Sequence, residues 1–144
     1  MYKRQGLGGA QFALPGAVDR LRSVRDAGGS GRAPAAAVLA ATDPANAYGV
    51  ALPWPVPGPR RVAGAYVVLL DGLASLYVEK GGRALVALRP YDGEWESFAV
   101  AALTTLLADG RLARLGVERY DAELAPALAA AGFVPTPKGL VRYA

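Results

Sequence analysis

The sequence contains neither cysteine nor histidine among its 144 residues. Without cysteine, the chain has no disulfide and no thiol nucleophile, and without both residues it cannot form Cys/His zinc sites. The same absence excludes every catalytic triad that uses an imidazole base. Any acid–base chemistry would have to use aspartate, glutamate, tyrosine or lysine.

Long hydrophobic runs are missing as well, although hydrophobic residues make up 53% of the sequence. The longest apolar run, at residues 62–70, is strand-sized and falls short of the roughly 18 residues of a membrane span. Lys3 and Arg4 lead into glycines and not into the apolar segment of a signal peptide. The sequence therefore predicts a cytoplasmic protein with no membrane partner.

The motifs of a nucleotide-hydrolysing motor are also lacking. The glycines of GLGGA, residues 6–10, follow no strand and lack both the GxGxxG spacing and a following GK[ST], so a hinge is the better interpretation. Neither a P-loop lysine nor an acidic magnesium ligand on an adjoining strand is present. We therefore expect this chain to hydrolyse no ATP by itself, and to hold no cofactor or metal ion.

The clearest positive signal is an antiparallel meander. Strands are predicted over residues 62–70, 73–79 and 84–88, joined by the hairpin turn Asp71-Gly72 and by the turn at residues 80–83. In the second strand, Ala74, Leu76 and Val78 are expected to share one face. A small-residue strand at residues 36–41 precedes the meander.

Helical periodicity predicts a helix over residues 15–25 and another over residues 94–108. Trp95, Phe98, Ala102 and Leu106 mark the buried side of the second helix. A strand at 115–120, a short helix capped by Asp121 and a last strand at 140–143 complete the chain. This order predicts an α+β fold with an antiparallel curved sheet or a small β-barrel flanked by helices.

The stretch ATDPANAYGVALPWP, residues 41–55, is too apolar for an ordinary linker and too rich in proline for a helix. Asp43 is its only plausible general base, but aspartate before proline is usually a turn residue that binds nearby backbone. Trp54 is suited to stacking on a base or wedging into a duplex. The alternative that we favour is a rigid strap in which Trp54 closes one end of a small barrel.

Four cations are candidates for phosphate contacts in a chain whose net charge is +4. Lys80 and Arg83 flank two glycines at a hairpin tip, which suits entry into a groove, although the tip taken alone is better explained as a solvated turn whose cations add solubility. Arg60 and Arg61 follow the prolines and are alternatively the charged rim of an edge strand. We therefore predict a nucleic-acid surface formed by Lys80, Arg83, Arg60, Arg61 and Trp54, with catalytic residues unknown.

Four segments together resemble the C-terminal end of the bacterial large helicase-related (Lhr) proteins. They are GLGGAQFALPGAVDRLR at 6–22, LAATDPANAYGVALPWP at 39–55, VVLLDGLASLYVEKGGRAL at 67–85 and GFVPTPKGLVRY at 132–143. The initial MYKRQ is unlike the winged-helix sequence that precedes these segments in the family. We expect residues 1–5 to be non-native or a truncated start, and residues 6–144 to form a single C-terminal barrel-like domain.

The resemblance implies an ATP-dependent DNA helicase connected with DNA repair, whose motor, with its ATP and magnesium, lies far upstream. It also implies winged-helix modules that lead into a terminal β-barrel module, an arrangement similar to that of AlkZ-type DNA glycosylases. Uracil-DNA glycosylase activity is associated with some members, but their catalytic residue matches no position here.

Three functions follow as hypotheses. The first is an accessory module that binds DNA and docks against the upstream winged helices. The second is a uracil-DNA glycosylase module that uses Asp43 or another carboxylate. The third is a docking or homo-oligomerisation module without nucleic-acid contact, which the high apolar fraction favours.

Overall fold

A computed structural model of the protein describes residues 12–27 and 31–144. Helix α1 spans Ala17–Ala27, two residues later than predicted, and its side chains Val18, Leu21 and Val24 are exposed. This helix lies in a unit that ends at Ala33, and all other elements lie in a second unit, Pro34–Ala144. The predicted hinge at residues 6–10 and the expected non-native start at residues 1–5 lie outside the described residues.

The predicted meander is confirmed as a four-stranded antiparallel sheet. Its strands are β1 (Ala36–Ala40), β2 (Tyr66–Leu70), β3 (Leu73–Val78) and β4 (Leu85–Ala87), in the order β1-β2-β3-β4. Asp71 and Gly72 both have positive φ, as a two-residue type I′ turn requires. Strand β2 is shorter than predicted, because Gly64 has a φ of 86° and residues 63–64 form a turn.

A β-bulge in β3 changes which side chains share a face. The β2–β3 register shifts after Val68, which leaves Ser75 as an extra residue. Because a bulge moves the alternation by one position, the prediction that Ala74 shares a face with Leu76 and Val78 is wrong. Leu76 and Val78 pack towards the helices, whereas Ala74 packs under the segment that follows β1.

The helix predicted over residues 94–108 is divided in two. Helix α2 spans Trp95–Leu103 and helix α3 spans Thr105–Ala108. At the junction the Thr104 and Thr105 hydroxyls donate to the carbonyls of Ala101 and Ala102 at 2.6 and 2.7 Å, and such back-bonding bends helices. Trp95, Ala102 and Leu106 are buried as predicted, but Phe98 is 38% exposed.

A second antiparallel sheet of three strands follows, in the order β5-β7-β6. Its strands are β5 (Arg114–Val117), β6 (Val134–Thr136) and β7 (Gly139–Tyr143). Between β5 and β6 lie a 3-10 turn, Ala122–Leu124, and helix α4, Ala125–Ala130. Asp121 does not cap this helix as predicted; its Oδ2 accepts a hydrogen bond of 2.9 Å from the Tyr91 hydroxyl instead.

The α+β class is confirmed, with the β-structure divided between two sheets. In the described part of the chain the strands do not close into a barrel, so the barrel alternative is not supported. The main core lies between the two sheets and helices α2 and α4, and a smaller apolar cluster covers the opposite face of the first sheet. No helix in the described part is long and apolar enough to cross a bilayer.

Candidate nucleic-acid interface

The segment between β1 and β2, residues 41–65, forms a strap that is held by Arg61. The Arg61 Nη1 atom donates to the carbonyls of Asn46 and Tyr48 at 2.6 and 3.2 Å. Its Nη2 atom donates to those of Thr42 and Asp43 at 3.3 and 3.2 Å. The guanidinium, which the sequence nominated for a phosphate, therefore ties together four backbone carbonyls of the strap.

Asn46 anchors the strap from inside, a role that the sequence analysis missed. Only 2% of the residue is exposed, and its Nδ2 donates to the carbonyl of Ala41 at 2.9 Å. Its Oδ1 accepts from the amide of Tyr48 at 3.1 Å. A buried amide with partners on both its donor and acceptor sides stabilises one chain path.

Asp43 lies in the turn that its sequence context predicts. Its Oδ1 accepts a hydrogen bond of 2.8 Å from the amide of Ala45, the geometry of an Asx-turn. In the described residues, no group of three or more carboxylates is placed to hold a metal ion. The structure thus assigns the Asp43 carboxylate a local backbone contact.

Trp54 is half-buried in an aromatic cluster against the first sheet. Its ring stacks on Tyr48 at a centroid distance of 6.0 Å and meets Tyr77 edge-on at 5.5 Å. Gly49 provides the space for this arrangement, since a Cβ there would lie 2.7 Å from Trp54 Nε1 and 3.0 Å from Arg61 Cγ. Trp54 therefore covers the face of an open sheet and not the end of a barrel.

Arg60 is exposed beside this cluster. Its backbone is fixed, because its amide donates to the Tyr77 hydroxyl at 3.3 Å and its carbonyl accepts from that hydroxyl at 3.0 Å. The side chain thus leaves the surface from an anchored position. Of the two neighbouring arginines, Arg60 is the one whose charge faces solvent.

The turn at residues 80–83 is packed against the second sheet and is not a free tip. The amides of Glu118 and Arg119 both donate to the carbonyl of Arg83 at 2.9 Å, and the Arg119 guanidinium pairs with Glu79 at 2.7 Å. Gly82 is buried with a φ of 75°, and a Cβ there would lie 2.9 Å from the carbonyl oxygen of Gly116. We call this element the basic turn.

The two cations of the basic turn are exposed but lie on different sides of it. Lys80 reaches towards the strap, since a Cβ at Gly64 would be 3.1 Å from Lys80 Cγ. Arg83 instead lines a groove on the second sheet together with Arg114 and Lys138. Among the described residues neither Lys80 nor Arg83 has an ion-pair partner.

The five predicted site residues therefore divide into two groups. Trp54, Arg60 and Arg61 belong to the strap, with Lys80 beside its end, whereas Arg83 faces the groove. The sequence analysis missed the other residues of that groove, because their proximity depends on the pairing of β5 with β7. No short-range signal in the sequence reveals this pairing.

Comparison with known proteins gives two relatives that match nearly the whole chain. One, from Mycolicibacterium smegmatis, is described as a Lhr helicase and probable uracil glycosylase and is 45% identical over an alignment of 157 residues, covering 96% of this chain. The other, from Escherichia coli, is described as a Lhr helicase and uracil glycosylase and is 36% identical, covering 94% of this chain. The chain spans 10% of the length of each relative. No family model matches the sequence.

Proposed function

Since this chain is homologous to one segment of the Lhr helicases, we propose that it is the C-terminal accessory module of an Lhr-type DNA helicase that acts in DNA repair. In this role it binds DNA through exposed cations and docks against other modules of the same parent chain. The motor, with its ATP and magnesium, lies elsewhere in the parent protein. The absence of P-loop residues from this sequence supports that division of labour.

The observation that supports DNA contact best is the basic turn. Hydrogen bonds from Glu118 and Arg119 fix its backbone, while Lys80 and Arg83 extend from it into solvent. Because the backbone of the turn is already fixed, phosphate binding has to order only the two side chains and not the loop that carries them. Exposed arginine and lysine contribute most of the sequence-independent part of DNA affinity.

The test is duplex DNA binding by the 144-residue chain, measured by fluorescence anisotropy over a range of salt concentrations. A Lys80→Ala/Arg83→Ala variant is expected to reduce the slope of log affinity against log salt by about 2 units if both residues touch phosphates. The matched control is Arg22→Ala/Arg25→Ala, which removes the same charge from cations paired with Asp19 and Asp26. Equal slopes for wild type and both variants would remove the basic turn from the DNA surface.

Docking is supported by apolar side chains at the outside of the strap. Val50 is 75% exposed, and Leu52 and Val62 are each 39% exposed. Exposed apolar residues that cluster on one rigid segment are typical of a surface that another module covers. We propose that the strap, which Arg61 holds in shape, is the docking surface for a neighbouring winged-helix module.

A second candidate function, a uracil-DNA glycosylase module, is favoured because one relative is described as a uracil glycosylase and the other as a probable one. The test compares Asp43→Asn with wild type on uracil-containing DNA. Asparagine preserves the Asx-turn that Asp43 forms with Ala45 but removes the carboxylate. Activity that survives in Asp43→Asn would exclude Asp43 as the base, and inactivity of the wild-type chain alone and joined to its winged helices would exclude the function.

A further inference from the structure

A groove of about 610 Å³ lies on the outer face of the second sheet, beside the basic turn. Arg114 and Tyr143 face each other across β5 and β7, and Gly116 faces Val141 two positions further along. Cross-strand neighbours and residues two apart share one face of a sheet. These two pairs therefore lie on the groove side of the sheet. Leu115, which lies between the two pairs, and Val117, which follows them, face the core.

The walls of the groove are predominantly cationic. Arg83 approaches from the basic turn, Arg114 from β5 and Lys138 from the turn between β6 and β7. Among the described residues that line the groove, Glu118 is the one with a carboxylate. The three cations come from three separate elements and converge on a common space. Such convergence favours a polyanion that passes through the groove.

The floor and one end of the groove suit a flat, apolar group. Gly116 and Val141 form a floor without a charge, and Tyr143 at the end is 62% exposed. An exposed tyrosine ring beside cations offers a surface on which a base can stack. Aromatic stacking combined with a basic groove is the general pattern by which proteins hold single-stranded nucleic acid.

We propose that this groove binds a single strand of nucleic acid, with phosphates at Arg83, Arg114 and Lys138 and one base on Tyr143. This assignment rests on the proposed function, because it names the form of nucleic acid that the module takes. A volume of about 610 Å³ lies within the range of pockets that enclose a small ligand. It accommodates a short piece of one strand but not a duplex, whose stacked bases are unavailable to Tyr143.

The probe is a labelled oligo(dT) strand of about twelve nucleotides, within the site size of single-strand binders, compared with a duplex of the same length. Tyr143→Ala is expected to weaken binding of the strand on the order of tenfold, and Tyr143→Phe to retain it, since stacking needs the ring and not the hydroxyl. Arg114→Ala/Lys138→Ala is expected to reduce the salt slope for the strand by about 1.4 units, roughly 0.7 for each phosphate contact.

Gly116→Leu tests the groove without removing a charge or an aromatic ring. A Cβ at Gly116 would meet no atom within 4 Å, so the leucine is expected to fill the groove while the melting temperature stays near that of wild type. Weaker binding of oligo(dT) with unchanged duplex binding supports the proposal. If Gly116→Leu lowers the melting temperature, the test uses Tyr143→Ala instead, since Tyr143 is exposed. Weaker oligo(dT) binding by Tyr143→Ala then supports the proposal, and unchanged binding overturns it.

Lys80→Ala separates this inference from the function proposed above, because Lys80 does not line the groove. Suppose that Gly116→Leu and Tyr143→Ala weaken binding of the single strand, while Lys80→Ala changes the affinity for neither the strand nor the duplex. The groove assignment is then supported, and the proposed phosphate contact of Lys80 is excluded. If Lys80→Ala alone has an effect, the groove assignment is overturned. It is overturned equally if polyglutamate displaces oligo(dT) and itself binds Tyr143→Ala as tightly as wild type, since an acidic peptide is then the better occupant.

Discussion

Arg61 is the residue on which the path of the strap depends most directly. Its two terminal nitrogens reach four carbonyl oxygens between Thr42 and Tyr48. A lysine has no planar fork of donors and cannot replace this pattern. The charge at this position is therefore used within the fold, while that of Arg60 faces solvent.

We predict that Arg61→Ala lowers the free energy of unfolding by about 2 kcal/mol, since the carbonyls of Asn46 and Tyr48 lose a charged donor. Urea denaturation monitored by tryptophan fluorescence measures this change, and Trp54 lies close enough to Arg61 for its emission to respond. Arg60→Ala is the matched control and is expected to change stability by no more than about 0.5 kcal/mol. Equal losses in the two variants would contradict the role assigned to Arg61.

Gly139 is a second residue whose identity the fold requires, because it starts the strand that lines the groove. Its φ of 146° lies in a region that favours glycine, and a Cβ at this position would overlap the carbonyl oxygen of Val117. Backbone, unlike a flexible side chain, cannot move aside at low cost. The close approach of β7 to β5 at this point therefore depends on the missing side chain.

We expect Gly139→Ala to lower the free energy of unfolding by about 2 kcal/mol or more, from strain and from displacement of β7. The control is Gly93→Ala, at a position where a Cβ would meet nothing within 4 Å. Chemical denaturation of both variants provides the comparison. A Gly139→Ala protein as stable as Gly93→Ala would show that β7 tolerates a shift away from Val117.

Among the elements, the loop before α2 is joined by a side-chain hydrogen bond to the residue that precedes the 3-10 turn before α4. The Tyr91 hydroxyl donates to Asp121 Oδ2 at 2.9 Å, and the Tyr91 ring stacks on Trp95 at 5.5 Å. Burial first, and then the hydrogen bond to Asp121, raise the pKa of the Tyr91 hydroxyl above its usual range. The phenol therefore remains a hydrogen-bond donor well into the alkaline range.

This pKa shift predicts a specific loss of stability in alkali. The folded chain retains the Tyr91 proton that the unfolded chain releases above about pH 10, so the free energy of unfolding falls as the pH rises beyond that value. Tyr91→Phe removes this contribution, and its stability is expected to fall less steeply than that of wild type above pH 10. Urea titrations at a series of alkaline pH values measure the two slopes, and parallel slopes would contradict the prediction.

Some secondary-structure elements are determined by local sequence and others are not. The meander was predictable, because Asp71-Gly72 encodes a tight hairpin between two apolar runs. Strand β6 was not predictable, because it is three residues long and contains Pro135. Proline argues against a strand when only the local sequence is considered. The bulge at Ser75 and the division of the helix at Thr104 arise from competing hydrogen bonds that hydrophobic periodicity does not record.

In the candidate site, too, local sequence predicted individual residues but not contacts between distant segments. Individual exposed cations such as Lys80, Arg83 and Arg60 could be nominated from turn and proline signals. The partners of Arg83 in the groove, Arg114 and Lys138, come from elements whose proximity depends on how β5, β6 and β7 pair. Sequence alone therefore gave candidate residues but not their grouping, and it did not show that Arg61 is used inside the strap.

For the whole molecule, the strap surface predicts self-association in the absence of its partner module. Val50, at 75% exposure, lies in a turn of the strap, so Val50→Glu is expected to reduce light scattering of concentrated solutions without lowering the melting temperature. Ala47→Glu, at another exposed strap position, adds the same charge without removing a large apolar side chain. An identical effect of both variants would show that charge, and not apolar contact, controls association.

The seam between the two sheets has a mechanical consequence. Three backbone hydrogen bonds cross it, from Glu118 and Arg119 to the carbonyl of Arg83 and from Leu85 to the carbonyl of Arg119. Arg83 stands on one side of the seam and Arg114, Lys138 and Tyr143 on the other. An occupant that contacts Arg83 on one side and Arg114 and Lys138 on the other would therefore connect the two sheets across the seam, so its binding would also oppose their separation.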